Sequence, residues 1–170
     1  MLTLLRTILL VVLGIVVVGL LATFLVGRER VLTVLFGPVR QTAIDFRTLQ
    51  RTARPNQYLV CPPGFCQAAP DAESPVYPIP VATLRERWLA MIAQQPRVQQ
   101  VAVDANQGQY DFIQHSRLLR FPDTITVRFI PRSATQSTLA IYSRSHYGSS
   151  DLGVNRRRIT AWLAALQHGE

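Results

Sequence analysis

The chain has 170 residues, with 18 basic and 10 acidic side chains and a net charge of +8, and every basic side chain is arginine. With about 25 to 30 residues assignable to lipid, the length leaves one soluble domain with its own core and excludes a second. The acids are sparse, and Asp111, Asp123 and Asp151 each stand alone in sequence, which argues against a paired-carboxylate catalytic site; the positive charge suits nucleic acid, an anionic membrane surface or acidic ligands. The absence of lysine reads as the coding bias of a GC-rich genome rather than a chemical preference for guanidinium.

Met1 to Val26 is apolar apart from Arg6 and a few hydroxyl and glycine positions, and Thr7 to Val26 supplies the ~20 residues that cross hydrocarbon. A cleaved signal peptide carries a shorter apolar region and a small-x-small exit. Here Ala22-Thr23-Phe24 continues through Leu25-Val26 to Arg28-Glu29-Arg30. Residues 1–30 are therefore read as an uncleaved transmembrane anchor. Arg28, Arg30 and Arg40 after the span favour a cytoplasmic domain by the positive-inside rule, whereas a cysteine pair further on favours an oxidising compartment. The reading adopted is a single-pass protein of a bacterial inner membrane with its domain in the periplasm.

Val31 to Phe36 is apolar again and ends at Gly37-Pro38, which suits a segment lying along the headgroups. Arg40 to Arg54 then mixes arginine with Ile44, Phe46 and Leu49. Residues 31–55 read as a basic juxtamembrane stalk, either a solvated linker or a contact for anionic lipid. Seven prolines between 55 and 80 predict extended or turning chain with little helix. Within that stretch Cys61 and Cys66 sit in Cys-Pro-Pro-Gly-Phe-Cys with no histidine nearby, so no four-ligand zinc site can be assembled locally. A disulfide restraining the turn and two free thiols are both compatible with the spacing.

The soluble domain, 56–170, opens with a helix over Val81 to Gln95, where Leu84, Trp88, Met91 and Ile92 recur at three- and four-residue spacing and Pro96 ends the run. The period then changes to two. Strands are predicted at Val98 to Asp104, Gln109 to Leu119, Thr124 to Pro131 and Ser137 to His146, joined by connections short enough for hairpins. Ile125, Val127 and Phe129 share one face with Leu139 and Ile141, and that face should meet helices. Thr124, Thr126, Arg128, Thr138, Tyr142, Arg144 and His146 share the other. In the second strand Tyr110 and Phe112 compete with Ile113 and Leu119 for the core. A last helix, beginning between Asp151 and Asn155 and ending near Gly169, stripes Ile159, Trp162, Leu163 and Leu166. The expected fold class is α+β: an antiparallel sheet of four strands, or slightly more, with two helices on one face and one transmembrane helix before it.

Ser143 to Trp162 concentrates the polar detail. If Asn155 caps the last helix, Arg156, Arg157 and Arg158 fall in its first turn, where the helix dipole disfavours cations, and an acidic group should compensate. Asp151 is the nearest carboxylate, and a bound phosphate or carboxylate would serve as well. If Asp151 is the cap, the three arginines lie in the second turn and need no compensation. In either case Asp151, Arg144 and Arg158 can form an ion-pair network fixing strand to helix, and Gly148 and Gly153 read as backbone devices. Ser149 or Ser150 with His146 and Asp151 offers the residue types of a serine hydrolase, but such residues within six positions rarely converge, and no Gly-x-Ser-x-Gly is present. Nucleic-acid binding is not expected, because no recognisable motif occurs and aromatic and basic residues do not interleave on one strand face.

Arg54-Pro-Asn-Gln-Tyr58, the Cys61 to Cys66 turn, Ser116 to Asp123 and, above all, Ser143-Arg144-Ser145, Gly148 and Ser150 to Arg158 resemble the bacterial and plastid family known as domain of unknown function 1499. The resemblance covers roughly residues 54–166. It departs in a cysteine turn one residue shorter than the family's Cys-Pro-x-x-Pro-Asn-Cys and in His146, where a second arginine is usual. It implies frequent tethering by membrane segments and supplies no activity. The leading expectation is a non-catalytic envelope module whose surface around Arg144, Asp151, Asn155 and Arg158, with Arg117 and Arg128, binds an anionic lipid headgroup or a protein partner. No metal or cofactor is expected. The alternatives are a structural accessory subunit of a membrane complex and, further off, a serine hydrolase.

Overall fold

A computed structural model describes residues 2–25, 27–39 and 42–168; Val26, Arg40 of the basic stretch and Gly169, the expected end of the last helix, lie outside the described residues. The chain divides into two compact units between residues 40 and 41. In the first, α1 (Leu2–Leu25) is an apolar helix of 24 residues with none buried, long and apolar enough to cross a membrane. Gly27, at φ 88°, separates it from α2 (Arg28–Phe36), and Gly37, at φ 85°, donates its N–H to Thr33 O at 2.9 Å to close that helix.

The second unit contains β1 (Gln57–Cys61), β2 (Ala72–Glu73), α3 (Val81–Ala93), β3 (Val98–Asp104), β4 (Gln109–His115), β5 (Pro122–Pro131), β6 (Ser137–Ser145) and α4 (Val154–His168). The strands form one sheet in the order β2-β1-β6-β5-β4-β3. Pairing is antiparallel from β3 to β6 and on to β1, and parallel between β1 and β2. The class is α+β, but the sheet has six strands and is mixed, where an antiparallel sheet of four strands or slightly more was expected. The two added strands come from the proline-rich stretch. Gln57–Cys61 is a five-residue window free of proline, so its N–H groups are available to the ladder that Pro55, Pro62 and Pro63 would interrupt. The β4 strand ends at His115 rather than Leu119, because the chain turns back at Ser116, whose N–H donates to Phe121 O at 2.9 Å.

Alternation along the strands divides the sheet into two faces. Val60, Phe112, Ile125, Val127, Phe129, Leu139 and Ile141 pack with Trp88 and Ile92 of α3 and Ile159, Trp162 and Leu166 of α4. Trp88 sits at the centre, edge-on to Trp162 at 5.8 Å and to Phe129 at 6.2 Å. In β4 it is Phe112 and the half-buried Tyr110 that join this core, while Leu119 stands 60% exposed.

The other face is covered too, contrary to the expectation from sequence. Ile44, Phe46 and Leu49 are buried against Leu59, Cys61, Ala140 and Tyr142. The buried Gln109 donates Nε2 to Ile44 O at 2.9 Å, and Gln67 N–H donates to Phe46 O at 3.1 Å. Ile44, Phe46 and Leu49 therefore depart from the basic juxtamembrane stalk, solvated or in contact with lipid, expected over 31–55. Burying each of the three apolar side chains contributes about 1.5–3 kcal/mol, enough to hold this segment, with its turn at 46–48, against the sheet as a strap. Cys61 and Cys66 are joined by a disulfide with Cα atoms 6.2 Å apart. Phe65, inside that loop, receives the guanidinium groups of Arg47 and Arg128 at 5.5 and 5.6 Å from its ring centre.

Candidate functional site

At one end of the sheet the helix-side face changes from apolar to polar. The β5–β6 register places Asp123 opposite Ser145 and Ile125 opposite Ser143, and the β4–β5 register places Gln114 opposite Asp123. All these side chains share the face that α4 covers. The start of α4 is fixed by Asp151, whose carboxylate accepts the N–H groups of Gly153 and Asn155, both at 2.8 Å, while its carbonyl accepts Val154 N–H at 3.1 Å. Three helix-start donors are thereby satisfied by one residue. Gly153, at φ 76°, makes the turn.

Asn155, in the first turn of α4, is fully buried and forms the hub of a hydrogen-bonded network. Its Nδ2 donates to Asp151 Oδ2 at 2.7 Å, Ser145 Oγ at 3.1 Å and Asn56 O at 3.2 Å. Its Oδ1 accepts from Ser143 Oγ at 2.5 Å and Arg158 Nη1 at 2.6 Å. One turn on, Arg158 donates Nε to Gln114 Oε1 and Nη2 to Asp123 Oδ2, each at 2.5 Å, and Nη1 also to Ser143 Oγ at 3.0 Å. The side chains of Arg158 and Asp123 are only 7% and 11% exposed. Desolvating such a pair is costly and is offset only when further hydrogen bonds complete both partners; here the guanidinium makes four. Asn56 carries the network to the start of β1, donating Nδ2 to Gly148 O at 3.0 Å and accepting Ser145 N–H at 2.9 Å. The result is a polar clasp that fastens α4 to β1, β4, β5 and β6.

The opposite face at the same end is organised differently. Arg144 lies over the Tyr142 ring at 5.7 Å and reaches Thr42 O at 3.4 Å. Thr126 Oγ1 donates to Asp111 Oδ1 at 2.5 Å, and Thr124 Oγ1 hydrogen-bonds His146 Nε2. Burial pushes the His146 imidazole below its ordinary value, and the Arg144 charge adds to this while Asp123 opposes it. Burial raises the Asp111 carboxyl, against the Thr126 hydrogen bond and the Arg144 charge. A cavity of about 140 Å³ lies beside these groups, lined by Thr42, Ala43, Val101, Ala102, Asp111 and Thr124.

The structure thus brings together Asp151, Asn155 and Arg158 and leaves out the other three arginines singled out with them. Arg144 points to the far side of β6, so it takes no part in a network with Asp151. Arg128 is on that far side too, donating Nη1 to Gln107 Oε1 at 2.7 Å. Arg117 stands exposed in the turn between β4 and β5. The hydrolase residues are committed elsewhere: His146 is bonded to Thr124, Asp151 caps α4, and Ser150 Oγ accepts Leu152 N–H at 3.3 Å. Asn56, Gln114, Asp123, Ser143 and Ser145 complete the clasp without having been singled out as site residues; all but Gln114 do lie in the Arg-Pro-Asn, Phe-Pro-Asp and Ser-Arg-Ser segments that carry the family resemblance. Beside the clasp an open groove of about 510 Å³ is lined by residues including Arg51, Tyr58, Asp71 and Arg156. Its Arg51 and Asp71 are paired at 2.8 Å. Among the described residues no group of three or more His, Cys, Asp or Glu side chains is placed to hold a metal ion.

A mixed sheet packed against α3 and α4, and a motif spent on fastening α4, define a compact α+β domain with a polar clasp. Residues 52–166, from just before β1 into the last turns of α4, match the family described as protein of unknown function (DUF1499), and the chain belongs to that family. No curated protein matches the chain. Among solved structures, the crystal structure of the di-domain ARO/CYC BexL from the BE-7585A biosynthetic pathway aligns at 16% identity with a TM-score of 0.42, over 56% of this chain and 44% of that one. The chain spans less than half the length of that protein.

Proposed function

We propose that the chain is a non-catalytic, single-span protein of the bacterial inner membrane whose periplasmic domain binds an anionic lipid headgroup. The observation that supports this reading best is the saturation of the clasp. The motif's carboxylates, amides and buried guanidinium are consumed by one another, leaving none poised toward a substrate, while Arg117, Arg156 and Arg157 remain exposed around it. The apolar helix α1 supports tethering, and the Cys61–Cys66 disulfide supports an oxidising compartment. A native mass spectrum of the full chain, released from mild detergent, is expected to show a retained anionic lipid. A serine-reactive fluorophosphonate is expected to leave the chain unlabelled under conditions that label a known serine hydrolase. A bare polypeptide mass would count against binding, and labelling of Ser149 or Ser150 would count against a non-catalytic role.

A second reading, an accessory subunit of a membrane complex, is favoured by β3. This seven-residue strand lies at the sheet edge, with Val103 49% exposed. Unpaired edge groups can accept a partner strand, although the irregularity between Gln100 and Ala102 interrupts that edge. A stoichiometric protein co-purifying with the full chain, lost on Val103→Pro, would support this reading.

A further inference from the structure

One end of the sheet carries a surface that the clasp does not use. Three connections leave the sheet there. The turn 116–121 joins β4 to β5, residues 94–97 lead from α3 into β3, and residues 146–153 lead from β6 to α4. They are tied together at their bases: Arg97 Nε donates to His115 O at 3.0 Å, His146 N–H donates to Pro122 O at 3.3 Å, and the Phe121 and Tyr147 rings meet edge-on at 5.6 Å. On top of this base, Leu118 is 79%, Leu119 60% and Leu152 84% exposed. Large aliphatic side chains grouped on turns, outside any core, mark a contact surface.

Charge identifies what the surface would touch. Arg117 and Arg120 flank the two leucines in sequence, and Arg97, Arg156 and Arg157 are exposed at the same end. Of the carboxylates near this end, Asp123 and Asp151 are turned into the clasp, and Asp71, in the groove beside Arg156, is paired with Arg51. The outward face is therefore cationic around an apolar tip. Backbone strain gathers here as well: among the described residues the non-glycine positions with positive φ are Arg97 at 59°, Arg120 at 59° and Leu152 at 53°. A left-handed conformation is unfavourable for any residue with a Cβ, and it persists where the surroundings over-determine it, often at functional surfaces. Each of the three connections contains one such residue.

We infer that this end of the domain is a membrane-docking surface. Leu118, Leu119 and Leu152 enter the boundary between headgroups and acyl chains of an anionic bilayer, and the surrounding guanidinium groups engage lipid phosphates. The inference rests on the tethered, lipid-binding reading above and assigns its contact surface. A bilayer fits better than a protein partner, because the apolar part is a few projecting side chains rather than a broad flat area. Guanidinium forks suit phosphate oxygens, and interfacial binding combines a small apolar insertion with attraction to anionic lipid.

The test uses the full chain reconstituted in vesicles of phosphatidylcholine, with or without phosphatidylglycerol, and with brominated phosphatidylcholine as a depth-sensitive quencher. The native Trp88 and Trp162 are buried, so Leu118→Trp adds a distinct exposed fluorophore, and Thr135→Trp, in the β5–β6 turn at the opposite end of the sheet, serves as the control. The expected result is bromine quenching and a blue shift for Leu118→Trp only when phosphatidylglycerol is present, with Thr135→Trp unaffected. Adding Arg117→Gln should lower the docked population about fivefold, and salt near 1 M, where the screening length falls to about 3 Å, should release the domain. Solvent-like emission from Leu118→Trp in both lipid mixtures, or equal quenching of the control, overturns the inference. If phosphatidylglycerol raises the melting temperature while Leu118→Trp stays unquenched, the headgroup is bound elsewhere: this surface is wrong and the lipid-binding reading survives. If phosphatidylglycerol changes neither signal, both fail.

Discussion

The two sides of β6 near its C-terminal end use similar residue types to opposite ends. On the helix side, Ser143 and Ser145 meet Asn155, Arg158 and Asp123, and the Arg158 and Asp123 charges are buried and completed by neighbours. On the far side, Arg144 and His146 stand half-buried among Thr42, Thr124 and Tyr142, beside a small cavity. A residue and its immediate neighbour in a strand serve different layers. The difference teaches that the polar density of this stretch is two arrangements interleaved, a fastening on one side and a looser, titratable group on the other.

The sharpest way to break the contrast is to remove the buried cation. Arg158→Ala leaves Asp123 without a partner inside the clasp, and the expected loss is about 3–5 kcal/mol, read by urea unfolding of the full chain in mild detergent through the near-ultraviolet signal of Trp88 and Trp162. Asn155→Ala should come next at about 2–3 kcal/mol, because Ser143, Arg158 and the Asn56 carbonyl each lose a partner while the neighbouring groups take up part of the deficit. On the other side of the strand, Arg144→Gln should cost no more than about 1 kcal/mol, since its partners are a carbonyl, a ring face and solvent. A loss at Arg144 equal to that at Arg158 would erase the distinction.

The smallest effect should appear as a pH dependence. The His146 imidazole titrates below its ordinary 6.5 in the folded protein, so between that depressed value and about 6.5 the unfolded chain binds more protons than the folded one. The contribution of His146 to stability is complete above that window and declines as pH falls through it. Asp111 has the opposite sign: its raised carboxyl holds a proton longer when folded, so its contribution declines as pH rises from 3.8 through the folded value. His146→Gln should therefore flatten the stability profile just below pH 6.5 while leaving the Asp111 region unchanged. A profile identical to that of the natural chain would show that His146 is not the titrating group.

How far the sequence could be read depended on what kind of regularity it carried. Period-two alternation placed β5 and β6, and it separated Ile125, Val127 and Phe129 from Thr124, Thr126 and Arg128 correctly because both strands are long and their register is pinned by a buried face. The same alternation already set Arg144 apart from Leu139 and Ile141, so its separation from Asp151 is a matter of parity even though the two lie close in sequence. The α4 start resolved the two capping alternatives in a mixed way: Asp151 supplies the cap, yet Arg156 and Arg157 still fall in the first turn because the helix begins at Val154. What stayed hidden was non-local. Asn56 is 99 residues from Asn155, and nothing in a short proline-free window announces that it pairs with the end of β6. The strap of Ile44, Phe46 and Leu49 reads as linker because its apolar residues are interspersed with polar and charged ones, and only the sheet face that they cover explains why they are buried.

The most direct test of the clasp is a double-mutant cycle between Asp123→Asn and Arg158→Gln, read by unfolding of the full chain. If the two side chains form a buried pair that fastens α4 to the sheet, the double variant is destabilised by about 1–3 kcal/mol less than the sum of the single variants. If instead the two losses add to within about 0.5 kcal/mol, Arg158 does not depend on Asp123, and the arginine at the heart of the motif is held for something other than the fold.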